Sequence, residues 1–252
     1  MAPQLGLGIA TSKPDYLCPP KVSLFSVEFD GTADFVSFTE NAYLIDGSEN
    51  NLSISFWAKR TDNNDEAVVL GSSESGSFKR LYFNSDGTRL YIESDTNGQE
   101  VFAPVTADTN WHHYVITSAG ADGGGVATVA IYEDGAALSV TNTNFGASSG
   151  NFTVNRIGAD TNTDGTKEFK GLLYQVAIFD TTLNDAAVTT IYNAGRPIPL
   201  DGNAGNYIST LNLLNLWKFN EGSGTSVADL GDLKLTGTLN NNVSFSETTP
   251  IS

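Results

Sequence analysis

From Ser23 to Phe179 the chain is a succession of short runs rich in β-branched and aromatic residues, each closed by a turn-forming stretch. SLFSVEF, DFVSF, LSISFWAK, EAVVLGS, RLYFN, RLYIES, WHHYVITS, ATVAIYE, FTVNRIG and KGLLYQVAIF all suit a pleated, half-buried backbone. Asp-Gly pairs at Asp30-Gly31, Asp86-Gly87 and Asp134-Gly135 supply positive φ at low cost, as tight hairpins require. RLYFNSDGTRLYIES is the clearest hairpin, with apolar residues on both arms. Many strands with regular turns predict an all-β fold, an antiparallel two-sheet jelly-roll sandwich.

One stretch departs from this pattern. In TTLNDAAVTTIYNAGRP, Asn184 can cap a helix and Asp185 suits its positive end. Ala187, Val188 and Ile191 fall on one face, and Gly195 can close the helix in a left-handed conformation with Pro197 just beyond. The expectation is one short helix over 185–194.

The 252 residues suffice for one large domain or two small ones with a real core. Thirteen basic against 29 acidic residues give a formal charge of −16, which repels nucleic-acid phosphates and anionic membranes alike. Neither is expected as a partner. Cys18 is the sole cysteine, so no intrachain disulfide forms, in keeping with folding in a reducing compartment. The opening MAPQLGLGIATSKPDY has no basic n-region and no sustained apolar stretch, so no secretory signal is expected. Prolines and glycines exclude a regular helix over residues 1–22, yet Leu5, Leu7, Ile9 and Leu17 are apolar for a free tail. Two readings stand for this segment: a disordered terminus, or an extended arm lying on its own surface or a neighbour's.

The ordered set VEFDGTADFVSF, LSISFWAK with Trp57, NWHHYVIT, VAIYEDGAAL, NRIGAD, GLLYQVAIFD and LNDAAVTTIYNAG resembles the laminin-G-like branch of the concanavalin A-like lectin/glucanase superfamily, over about 25–196. LWKFNEGSGTSVADLGDLKLTGTLNNNVSF, residues 216–245, resembles a segment that usually precedes the FDG turn in this family and here comes last. The resemblance therefore implies a single permuted domain over 23–252, with strands in 214–245 completing the same sandwich. Completion of a neighbouring subunit by swapping is the alternative. The permuted order and the short leader are similar to laminin-G-like proteins of tailed-phage particles, an analogy of fold and not of site.

Retaining glucanases need two carboxylates about 5 Å apart, and the family's Glu-x-Asp-x-Glu triplet is missing from the sequence. Asp62, Asp65 and Glu66 cluster in a stretch that reads as a loop. His112 and His113 are adjacent on a strand and face opposite sides, one of them packing beside Trp111. Catalysis is not expected.

DTNTDG matches the first half of a calcium loop, with oxygens at Asp160, Asn162 and Asp164, glycine at Gly165, and Glu168 able to add a further oxygen. The closing bidentate glutamate is replaced by Gly171, and the same residues also suit an ordinary hairpin loop. The family's second calcium route needs acids where this chain has Tyr174 and Gln175, which leaves Asp30 without acidic partners. Tyr82, Tyr91, Phe102 and Tyr132, with the Asn- and Asp-rich loops 141–151 and 160–168, are candidates for sugar contact and equally for ordinary core and loop.

The resulting expectation is a non-enzymatic accessory protein of a phage virion, either capsid decoration or a surface attachment module. It would be synthesised in the host cytoplasm and held on the particle surface through Leu5, Leu7 and Ile9, with other virion proteins and further copies of itself as partners. The alternative is a glycan-binding lectin module, with calcium as a possible assistant.

Overall fold

The computed structural model describes residues 22–45, 51–61, 65–73, 80–95, 99–119, 128–143, 145, 152–160 and 167–251. The first strands are β1 (Ser26–Asp30), β2 (Phe35–Ile45), β3 (Leu52–Arg60), β4 (Ala67–Gly71), β5 (Arg80–Phe83) and β6 (Arg89–Asp95). Then come β7 (Gln99–Pro104), β8 (Trp111–Ala119), β9 (Thr128–Glu133), β10 (Ala136–Ala137), β11 (Thr141–Thr143), β12 (Phe152–Ile157) and β13 (Lys170–Phe179). Helix α1 (Asp185–Tyr192) precedes β14 (Leu213–Trp217), β15 (Ser226–Val227), β16 (Gly237–Asn240) and β17 (Ser244–Ser246).

The strands form two antiparallel sheets packed as a jelly-roll sandwich. Sheet A has the order β10-β9-β8-β3-β13-β1-β17, with β14 also on β13; sheet B runs β11-β7-β6-β5-β4-β12-β2-β16-β15. Alternation along each strand sends one set of side chains between the sheets. Phe29, Ile54, Phe56, Ile116 and Trp217 of sheet A meet Leu81, Phe83, Leu90, Ile92 and Val101 of sheet B, all essentially without solvent contact. Each such side chain contributes about 1.5–3 kcal/mol of burial free energy.

The turns follow their residues. Asp134 and Gly135 have φ of 50° and 78°, and Glu133 pairs with Ala136 across them, the mirror-image turn whose twist suits a two-residue hairpin. Asp86-Gly87 closes β5 onto β6, with Gly87 at φ 66°. Asn184 caps α1 by accepting from the Ala187 amide at 2.9 Å, and Ala187, Val188 and Ile191 are its buried residues. The helix ends earlier than the expected 185–194. Asn193 takes the left-handed conformation at φ 46° and its amide bonds to the Thr189 carbonyl, so the terminator is this asparagine and not Gly195.

β13 is the axis of sheet A. A one-residue bulge with Gln175 at φ 51° splits it, so that Lys170–Leu173 pairs with β1 while Val176–Phe179 pairs with β14 on the same side. Downstream, β16 pairs with β2 and β17 with β1. Trp217 stacks on Phe38 at 4.6 Å between centroids. The buried Asp229 carboxylate accepts from Asn215 Nδ2 and from the amides of Leu216, Gly231 and Leu235, at 2.7–2.8 Å. Residues 1–21, including Leu5, Leu7, Ile9 and Cys18, lie outside the described residues.

Candidate functional site

Leu81, Phe83, Leu90, Ile92, Val101 and Ala103 belong to the core between the sheets. The period of two therefore turns the residues between them onto the outer face of sheet B. Registration across β5, β6, β7 and β11 arranges them in two parallel rows. The first is Tyr82, Tyr91, Phe102 and Thr141, each opposite the next; the second is Arg80, Glu93, Glu100 and Thr143.

The first row is an offset-stacked aromatic column. Tyr82 and Tyr91 have centroids 5.1 Å apart at 18°, and Tyr91 and Phe102 4.7 Å apart at 27°. The Arg80 guanidinium covers Tyr82 at 4.0 Å, leaving that residue 6% exposed. Tyr91 and Phe102 are half-buried, and Arg89 lies 5.3 Å from the Phe102 ring while donating to the Tyr91 hydroxyl at 3.4 Å. Tyr91 and Phe102 are thus the rings a ligand can reach.

The second row is polar and densely paired at one end. Arg80 Nε donates to Glu93 Oε2 at 2.9 Å, its Nη1 donates to Glu66 Oε2 at 2.8 Å, and Asp160 Oδ2 lies 3.7 Å away. Lys167 Nζ is 3.5 Å from Glu66. Burial opposes the Arg80 charge, but the Glu93 hydrogen bond and the Glu66 field outweigh it and raise its pKa. At the other end Glu100 sits directly opposite Glu93. Burial first, and the Glu93 charge second, push its pKa up. Among the described residues nothing donates to the Glu100 carboxylate; the Thr143 hydroxyl donates instead to the Glu100 carbonyl at 2.9 Å.

Three of the four aromatic candidates therefore converge on one face, and the fourth does not. Tyr132 lies on the outer side of sheet A beneath α1, its hydroxyl donating to Asp185 Oδ1 at 2.6 Å. Of the expected calcium ligands, Asp160 and Glu168 are buried, the former beside Arg80 and the latter accepting from the Lys167 amide at 3.1 Å. Asn162 and Asp164 lie outside the described residues, as does most of loops 141–151 and 160–168. No group of three or more His, Cys, Asp or Glu is arranged for a metal among the described residues. Asp30 accepts from the Thr32 amide at 2.7 Å and Asn242 Nδ2 at 3.1 Å, so its oxygens pin the turn to the late segment. Tyr174 donates to the Ser23 carbonyl and Gln175 to the Ile198 carbonyl.

The two histidines occupy separate environments. His113 is fully buried, bonded to Ser55 Oγ at 2.9 Å, and burial pulls its pKa down to about 3. It packs against Trp57, its partner across β3 and β8, and not against the sequence neighbour Trp111. His112 lies between Asp134 at 2.7 Å and Asp108 at 3.0 Å, and the Asp134 bond raises its pKa to about 9. Sequence reasoning missed the polar row. Its trace was the repeated spacing of a charged residue two positions from an aromatic, in Arg80-x-Tyr82, Tyr91-x-Glu93 and Glu100-x-Phe102.

A laminin-G family model described as concanavalin A-like lectin/glucanases superfamily matches residues 30–189. Among solved structures, the chain is similar to a protein from Bacteroides ovatus assigned to carbohydrate binding, with TM-score 0.60 and 14% identity over 90% of this chain. The match spans 60% of the length of that protein. It is also similar to the heptameric SAP-like pentraxin of Limulus polyphemus, with TM-score 0.58 and 15% identity, over 90% of this chain and 97% of the pentraxin. At such identities the likeness is one of fold. No curated protein matches in sequence.

Proposed function

We propose that this chain, which belongs to the concanavalin A-like lectin/glucanases superfamily, is a glycan-binding module without catalytic activity whose ligand lies across the outer face of β5, β6 and β7. The observation that carries this reading is the pair of registered rows. Tyr91 and Phe102 offer apolar ring surface to the C–H faces of a pyranose, while Glu93, Glu100 and Thr143 sit one step along the strands, where ring hydroxyls would meet them. An apolar surface with a few fixed polar groups is the usual chemistry of a ligand site. Binding without turnover is favoured by Glu66 and Glu93 both being held by Arg80, which ties these carboxylates to a structural ion pair.

A glycan array tests the proposal. The expected outcome is specific binding by the intact chain that falls about tenfold or more when Tyr91→Ala or Phe102→Ala removes a ring. Silence on the array, or variants that bind like the parent, would overturn it. The same array with chelator tests calcium assistance by Asp160, Asn162, Asp164 and Glu168; unchanged binding rejects it.

The setting we propose for this module is a phage particle, as an accessory virion protein in contact with capsid or tail proteins and with copies of itself. This rests on the sequence resemblance and on the apolar arm of residues 1–22 bearing Leu5, Leu7 and Ile9. At the start of the described residues the Ser23 hydroxyl and the Leu24 amide meet Asn220 Oδ1. Leu24 itself is 66% exposed there. The charge of −16 disfavours nucleic acid and anionic lipid, and no helix among the described residues is long and apolar enough to cross a membrane. Deleting residues 1–22 is expected to leave a folded domain that no longer sediments with particles; co-sedimentation of the truncated protein would overturn anchoring through the arm.

A further inference from the structure

The charges on this face differ in how they are engaged. Arg80 is committed to Glu93 and Glu66, Lys167 lies 3.5 Å from Glu66, and Arg89 holds the Tyr91 hydroxyl beside the Phe102 ring. Glu100 alone in the polar row presents a charged group to which no described residue donates. It stands next to the accessible Phe102 on β7 and opposite Glu93 on β6. An ionised carboxylate only accepts hydrogen bonds, so a ligand group meeting it must donate. A sugar hydroxyl does so. A uronate, sialate or sulfate offers more acceptors and a like charge, in a partly desolvated spot where repulsion is stronger than in water.

We propose that Glu100 is a specificity-determining residue of this face: it accepts from a hydroxyl of a neutral glycan and turns away glycans carrying a carboxylate or sulfate beside the Tyr91–Phe102 pair. The inference rests on the glycan-binding reading and names the ligand class for it. Glu93 reinforces the exclusion from across the strand pair, while the overall charge of −16 slows approach of polyanions from a distance.

Calorimetric titration with matched probes tests this: cello-oligosaccharides against the corresponding cellouronates, and lactose against sialyllactose. The intact chain is expected to bind the neutral member about tenfold or more tightly than its acidic counterpart. Glu100→Gln, which keeps the shape and removes the charge, is expected to weaken the neutral member, because its hydroxyl loses a charge-assisted acceptor, and to narrow that ratio to about threefold or less. Raising the salt should narrow the ratio for the unmutated chain, a readout that does not depend on the variant folding. Equal binding of both members, or a ratio indifferent to both Glu100→Gln and salt, overturns the role of Glu100 while leaving glycan binding intact. Failure to bind any probe in either set, with the array also silent, removes the glycan reading and this inference with it.

Discussion

The two sheets present their outer faces in opposite ways. On sheet A, Val115, Ala177, Phe179, Leu213 and Leu216 are roofed by Ala187, Val188 and Ile191 of α1 together with Leu183, Leu200 and Tyr207. Under that roof an aromatic such as Tyr132 becomes scaffold, its hydroxyl spent on Asp185. On sheet B, the face of β5 to β7 carries Tyr91, Phe102, Glu93 and Glu100, and its two rings remain half-buried. Strand alternation makes an inner and an outer side in both sheets. What turns one outer side into core and leaves the rings of the other half-exposed is a helix that arrives after the last long strand.

Substitutions can break this contrast or sharpen it. The largest effect is expected at Asp229, which fastens β14, the strand bearing Leu213 and Leu216 of the roofed face. Asp229→Ala leaves the amides of Leu216, Gly231 and Leu235 without their acceptor and should cost on the order of 4 kcal/mol in urea unfolding. Ile191→Ala, under the roof, should cost about 3 kcal/mol. Phe102→Ala, on the open face, should cost only about 1 kcal/mol, the scale of one aromatic stacking contact. Equal losses at Ile191 and Phe102 would mean that the sheet B face is core too.

The roofed face also predicts an acid limb. His113 is held neutral with a pKa near 3 against the ordinary 6.5, so the unfolded chain takes up a proton that the folded one refuses. Its contribution is complete above the ordinary value and is lost as pH falls towards the folded one, by about 1.4 kcal/mol for each pH unit within that window. His113→Gln should flatten the fall, as read by denaturation at several acidic pH values. His112 has the opposite sign. With its pKa raised to about 9, its stabilisation is complete below the ordinary value and disappears as pH rises through the folded one. Its partners Asp108 and Asp134 are 37% and 31% exposed, which holds the effect to on the order of 1 kcal/mol. His112→Gln should remove that basic limb. The smallest effect belongs to Tyr91→Phe, which deletes a hydroxyl held, among the described residues, by Arg89 alone. Stability should move by less than about 0.5 kcal/mol, and glycan affinity should hold; a large loss of affinity would shift the binding role from the ring to the hydroxyl.

Sequence signals with a local cause were legible. Asp134-Gly135 and Asp86-Gly87 close hairpins because their backbone needs are met within two residues, and Asn184 caps α1 for the same reason. The short helix was legible too, and its end falls between two residues that both take the left-handed region, with Asn193 the cap and Gly195 two residues on. Tyr82, Tyr91 and Phe102 could be named as aromatics on strands, but not as a stack. Their meeting depends on cross-strand register, and register in this fold is shifted by bulges such as those in β4 and β13. Tyr132 looked identical to them because alternation is blind to what later covers a face. Arg80 drew no notice for a related reason: its partners Glu66, Glu93 and Asp160 come from three separate segments.

The first and last strands lie side by side, with Ser26 opposite Ser246 in an antiparallel pair. Chain entering β1 at Ser26 and chain leaving β17 at Ser246 therefore meet at one spot, like two leads from a single socket. Trimmed to these two strands, the module could be spliced into a loop of a larger scaffold with hardly any spacer, or closed into a ring by a short peptide. In each case it would hang by a double tether at the β1–β17 margin of sheet A, with the Tyr91–Phe102 surface on the other sheet left clear.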